Sequence, residues 1–201
     1  MEWGVPSCMP EAVVALTGAS GAQYCVRLIE ALVDYGWTVN LIVTSTGAIN
    51  LDLECGITPS ELAARDGVNL EDNQNLAAKS ASGSARFDAY VICPASGTTI
   101  GKIAAGISDN LATRSALVAM KERRKLIIVP REAPYSTPHL KAMFNLSEWG
   151  AVILPASPGF YHSPRDIGDL VDFVVARILD QLDIDHNLGK RWTGEEVNHE
   201  E

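Results

Sequence analysis

The chain has 201 residues, with 25 acidic against 16 basic side chains, a formal net charge of −9, and a composition 47% hydrophobic and 20% charged. That is enough apolar material for one domain with a full core, which excludes disorder, low complexity and a small disulfide-stapled module. The acidic balance argues against nucleic acid or an anionic membrane surface as the main partner, because such proteins carry a surplus of Lys and Arg.

The first ten residues carry Glu2 in place of basic residues and hold no apolar core, so residues 1–11 read as a leader rather than a secretory signal. Residues 12–16 form an apolar run, followed by a glycine turn and a helix-period segment over 22–35. A second run, 38–43, leads through Thr44 into another helical stretch. Residues 54–86 are polar, rich in small residues and irregular. A third run at 89–93 enters a helix through Ser96 and Gly97, and a helix over 110–121 follows. The fourth run is 126–129, then a Thr137-capped helix with Pro138 in its first turn, then the fifth run, 151–154. The last helix, 164–182, puts Ile167, Leu170, Val171, Val174, Val175, Ile178 and Leu182 on one face.

The strand runs are continuously apolar rather than alternating, as in strands covered on both faces. Alternation with helices predicts a single α/β domain over residues 12–192, a Rossmann-like (flavodoxin-like) doubly wound parallel sheet, with residues 193–201 as an acidic tail. Cys8, Cys25, Cys55 and Cys93 form no CxxC, and no His stands at ligand spacing, so no metal is expected. Cys25 and Cys93 lie in apolar runs as core thiols. With no run of ~18 apolar residues for a membrane span, a cytoplasmic location is expected.

In open α/β sheets ligands bind beyond the carboxyl ends of the strands. The first such turn is Thr17-Gly18-Ala19-Ser20-Gly21-Ala22, expected to offer free helix N–H groups to an anion. The second is Thr44-Ser45-Thr46, without the acidic residue that a dinucleotide ribose would need, which argues against NAD. The third is Pro94-Ala95-Ser96-Gly97-Thr98-Thr99. Three hydroxyl-rich turns on one edge suit a phosphate monoester such as FMN, and the bland alternative is that these hydroxyls only cap helices. The fourth run ends in Arg131 and Glu132, an anion-binding cation beside a candidate proton donor, or else an ordinary surface pair. Tyr161 rims the fifth turn. Arg177 sits in a largely apolar helix with Asp180 three residues on, so spacing leaves its role open.

At Leu16-Thr17-Gly18-Ala19-Ser20-Gly21-Ala22, Leu117-Val118-Ala119-Met120-Lys121-Glu122, Val129-Pro130-Arg131-Glu132-Ala133-Pro134 and Pro155-Ala156-Ser157-Pro158-Gly159-Phe160-Tyr161, the chain resembles the UbiX family of flavin prenyltransferases, relatives of the homo-oligomeric flavin-containing cysteine decarboxylases. The resemblance implies transfer of a dimethylallyl group from dimethylallyl monophosphate to N5 and C6 of reduced FMN. The product, prenylated FMN, would serve a UbiD-type decarboxylase in ubiquinone synthesis or aromatic-acid decarboxylation. It also implies a homo-oligomer, a dodecamer in relatives, with sites at subunit interfaces.

By position, the resemblance gives Gly18, Ala19, Ser20, Thr44, Ser96, Gly97, Thr98, Thr99 and Arg131 to FMN. It gives Tyr161 and Arg177 to the allyl phosphate with Lys121 and Glu132 beside them, brings Arg114 in across an interface, and adds Trp192 as an aromatic face. Catalytic roles fall to Ser20, Glu54, Lys121 and Glu132. Residues 113–132 hold six basic and two acidic side chains, a local +4 within an otherwise −13 chain, and are expected to wall one pocket for two phosphates. Two departures stand out. Some members carry a Trp shortly before the Ser82-Gly83-Ser84 loop where this chain has Asn75-Leu76-Ala77, and the 54–82 stretch is shorter than in some members. The competing readings are an FMN-dependent decarboxylase of the cysteine type, which needs an early His where the first here is His139, and a non-catalytic FMN-binding protein.

Overall fold

The computed structural model describes residues 9–189. Its sheet contains β1 (Glu11–Leu16), β2 (Thr38–Val43), β3 (Val68–Glu71), β4 (Ala89–Ala95), β5 (Lys125–Pro130) and β6 (Val152–Ile153). The order is β3-β2-β1-β4-β5-β6 and every neighbouring pair is parallel. This is the doubly wound order, in which the winding reverses between β1 and β4 and opens a crevice beyond their carboxyl ends.

The helices are α1 (Ala22–Asp34), α2 (Ser45–Cys55), α3 (Pro59–Leu62), α4 (Gly97–Ala104), α5 (Leu111–Lys121), α6 (Thr137–Glu148) and α7 (Ile167–Gln181). In β1, Ala12, Val14 and Leu16 face the core under α1 and α7, whereas Val13 and Ala15 face the core under α4, α5 and α6. Both faces of the sheet are covered, which explains why the strand runs carry no polar alternation. Leu28, Ile29 and Leu32 of α1 are fully buried, each contributing about 1.5–3 kcal/mol of hydrophobic stabilisation. Among the described residues no helix is long and apolar enough to cross a membrane.

The structure differs from the sequence reading in four places. The irregular 54–86 stretch contains α3 and β3, an edge strand in which only Val68 is buried. The cap of α6 is Ser136, whose Oγ accepts from the His139 N–H, so Thr137 and Pro138 are the first two helical residues. The ladder of β6 is two residues long, and α7 begins at Ile167 behind an Asp166 cap. Most of the leader (residues 1–8), Trp192 and the 193–201 tail lie outside the described residues.

Candidate functional site

The carboxyl ends of β1 and β4 are tied by one side chain of the first glycine turn, to which the sequence alone assigns no separate role. Thr17 is fully buried; its Oγ1 donates to the Pro94 carbonyl at 2.8 Å and accepts from the Ser96 N–H at 2.9 Å. This one hydroxyl therefore links the two turns that flank the crevice. Gly18 lies against α2, where a Cβ would come 2.8 Å from the Thr46 Cβ. Gly21, at φ 109°, caps α1 in a left-handed conformation that side chains rarely adopt.

The N–H groups at the start of α1 are not free, contrary to the expectation for this turn. Glu54, brought back by the last turn of α2, accepts from Gly21 N at 2.8 Å and Ala22 N at 2.7 Å with the same oxygen. Partial burial raises the Glu54 pKa, but hydrogen bonds from the Ser20 hydroxyl and from the Ala22 and Gly21 N–H groups, with the Arg131 charge, outweigh it and hold the carboxyl below the usual range. An internal carboxylate thus occupies the anion seat of α1. The side chains of Ser20 and Glu54 are joined at that seat.

Thr44 and Ser96 cap helices: Thr44 Oγ1 accepts from Gly47 N at 3.1 Å, and Ser96 Oγ accepts from Thr99 N at 3.2 Å while meeting Thr99 Oγ1 at 3.0 Å. Capping uses a hydroxyl as an acceptor, so Thr44 keeps its own hydrogen for a ligand, whereas Ser96 and Thr99 keep one between them. Among the described residues the N–H groups of Gly97 and Thr98 at the start of α4 have no hydrogen-bond acceptor. Arg131 reaches from β5 across this turn, its Nε donating to the Ser20 carbonyl at 3.0 Å. Glu132 follows it, partly buried, with its Oε1 accepting from the Ala133 N–H at 3.3 Å. The crevice thus gathers Gly18, Ala19, Ser20, Glu54, the Ser96 turn, Arg131 and Glu132.

The remaining residues lie elsewhere on the protomer. The Tyr161 ring packs edge-on against Phe173 of α7 at 5.8 Å, and Arg177 stands one turn further along the same stripe. Arg177 pairs with Asp180 at 2.8 Å and is half exposed. Its end of α7 is the one whose Gln181 carbonyl accepts from Lys125 at the start of β5. Arg114 and Lys121 sit on α5, over the opposite face of the sheet. Arg114 Nε donates to the Ala81 carbonyl at 3.4 Å, and Lys121 pairs with Glu122 on the surface. Lys121 precedes the start of β5 and Arg131 follows its end, about 16 Å further along the strand. The basic 113–132 segment therefore does not wall one pocket within a protomer: it runs from one edge of the sheet to the other. Sequence position hid this separation because α5 and β5 are consecutive in the chain but point in opposite directions.

The crevice fits FMN on its own chemistry. It offers two unused N–H groups at the start of α4, one hydroxyl hydrogen from the mutually bonded Ser96–Thr99 pair, a guanidinium, and a glycine at position 18 that lets the backbone approach closely.

The Flavoprotein family matches residues 7–179. The flavin prenyltransferase UbiX of Thermoplasma acidophilum is 47% identical over 180 residues, covering 90% of this chain and 98% of the relative. Among solved structures, AnUbiX (PadA1) in complex with FMN and dimethylallyl pyrophosphate superposes with a TM-score of 0.90 at 36% identity, covering 94% of this chain and 100% of the other. A dodecameric FMN-dependent UbiX-like decarboxylase from Escherichia coli O157:H7 superposes with a TM-score of 0.88 at 38% identity, covering 92% and 100%.

Proposed function

The chain belongs to the Flavoprotein family and, within it, to the flavin prenyltransferases of the UbiX type, and from that premise we propose how its residues carry the transfer of a dimethylallyl group to FMN. The observation that carries this division of labour is the separation of three residue groups: the Ser20–Glu54–Arg131–Glu132 crevice, the Tyr161–Arg177 stripe and the Arg114–Lys121 face of α5. They complete one site only when protomers meet, and the dodecameric relative supports such an assembly.

Reduced FMN supplies the N5 and C6 positions that take up the five-carbon unit. Gly18, Ala19, Thr44, the Ser96 to Thr99 turn and Arg131 hold it. Breaking the allylic C–O bond of dimethylallyl monophosphate leaves positive charge on the allyl unit and puts negative charge on the phosphate, so fixed cations are needed at the phosphate and nowhere else. Arg177, Tyr161, Lys121 and Arg114 meet that need, and Glu132 gives a proton to the departing phosphate. A π-face beside the allyl unit, the part assigned to Trp192, would steady the cation. The Ser20 hydroxyl already donates to an ionised Glu54, so it is set to receive a proton from the flavin and pass its own to the carboxylate. The recipient of the prenylated FMN is a UbiD-type decarboxylase. A cytoplasmic setting accords with Cys25 and Cys93, buried free thiols whose pKa burial raises.

Anaerobic incubation with reduced FMN and dimethylallyl monophosphate or diphosphate, followed by mass analysis of the flavin, tests the reaction. A gain of one five-carbon unit is expected with the monophosphate. No gain with either donor would refute the reading.

A further inference from the structure

His139, on the first turn of α6, plays no part in the scheme above, yet its ring lies against the flavin turn. A Cβ built on Gly97 would stand 2.3 Å from its Nε2 and 2.5 Å from its Cε1. The ring therefore fills the space a side chain at 97 would take, with Nε2 within about 4 Å of the Gly97 Cα. The glycine at this position is a condition of the ring's placement.

The two ring nitrogens differ. Nδ1 is enclosed and has no hydrogen-bond partner, whereas Nε2 reaches the surface beside Gly97 and has no acceptor among the described residues. Because Nε2 is the nitrogen open to a ligand, the ring proton is assigned to it, leaving the enclosed Nδ1 as the lone pair. His139 then presents a donor at the point where the unused Gly97 and Thr98 N–H groups emerge from α4.

We propose that His139 Nε2 donates a hydrogen bond to the phosphate of FMN, seated at the N-terminus of α4 with the Gly97 and Thr98 N–H groups. This rests on the FMN reading of the crevice. The alternative seat on the β1 side is closed to a dianion because Glu54 holds the start of α1. The crevice opens at the switch between β1 and β4, and with the Arg131 side chain already at the Ser20 carbonyl beside Glu54, the start of α4 is the helix end left open to the phosphate.

The test compares FMN with riboflavin, which lacks the phosphate, by titrating the full-length oligomer and following flavin fluorescence. His139→Leu should weaken FMN about tenfold and leave riboflavin within twofold of the wild type, which also reports an intact fold. His139→Gln, whose amide nitrogen reaches a similar point, should recover most of the FMN affinity. Gly97→Ala should reproduce the Leu defect by displacing the ring, and combining it with His139→Leu should add little. Unchanged FMN affinity in the Leu variant, or equal loss of FMN and riboflavin, would overturn the proposal. A wild-type protein that binds both flavins equally would overturn the phosphate seat itself, with or without His139.

Discussion

Thr17→Val removes one hydroxyl and keeps the volume. Its Oγ1 holds two hydrogen bonds, a buried one to the Pro94 carbonyl and a part-buried one from the Ser96 N–H. The Pro94 carbonyl keeps a second donor, the Thr17 N–H at 3.3 Å, but the Ser96 N–H is left without its partner. Two lost bonds at about 1 kcal/mol each and one stranded donor give a loss of about 2–4 kcal/mol. For a chain of this size that corresponds to a fall in Tm of roughly 4–16 °C. Thermal and urea unfolding at fixed protomer concentration measure it, because assembly makes apparent stability depend on concentration. Thr17→Ser retains the hydroxyl and should lose much less. FMN affinity should fall in the Val variant as well, since Ser96 begins the flavin turn. A loss below about 1 kcal/mol, or a Ser variant as unstable as the Val variant, would show that this hydroxyl does not tie the two turns.

Gly47→Ala puts a Cβ 2.6 Å from the Leu16 carbonyl oxygen, backbone that cannot swing aside, and should cost about 1–3 kcal/mol in urea unfolding. Glu54 titrates below the usual carboxylate range in the folded state, so its stabilising effect is complete above the unfolded value of about 4.3 and is lost as pH falls through the folded value. Acid unfolding followed by circular dichroism should therefore lose this step in Glu54→Gln, while stability between pH 5 and 8 shows no Glu54-dependent slope. Arg177→Ala should change stability by about 1 kcal/mol or less, because Arg177 is half exposed and the largely buried Asp180 keeps His186 as a partner, and should leave FMN binding nearly intact while abolishing turnover. Mixed oligomers reassembled from Lys121→Ala and Glu132→Gln protomers should regain prenyl transfer that neither variant shows alone; failure to regain it would mean that both groups serve the site of one chain.

Local features of this fold were legible and distant ones were not. The carboxyl-edge turns could be found because Gly18, Ser20, Ser96 and Arg131 directly follow apolar runs, and strand exit is a local signal. β3 escaped because Val68-Asn69-Leu70-Glu71 is an edge strand with one buried side chain, so it shows no apolar run. Ser136 and Thr137 both suit a cap before Pro138, and only the hydrogen bond to His139 N distinguishes them. Thr17 and Glu54 act on partners 77 and 32 residues away, separations at which no spacing rule operates. Lys121 and Arg131 belong to one charge run in the chain and to opposite edges of the sheet in space.

The carboxylate at the head of α1 also bears on which nucleotides this scaffold can admit. Related doubly wound enzymes lay a pyrophosphate along the first glycine turn, drawn by the same helix end that Glu54 fills here. A dinucleotide entering by that route would meet a fixed negative charge before any base or ribose was read. Selection for a mononucleotide is thereby built into the entrance, ahead of any recognition of the flavin ring, and Glu54→Gln would relax discrimination as well as slow the chemistry.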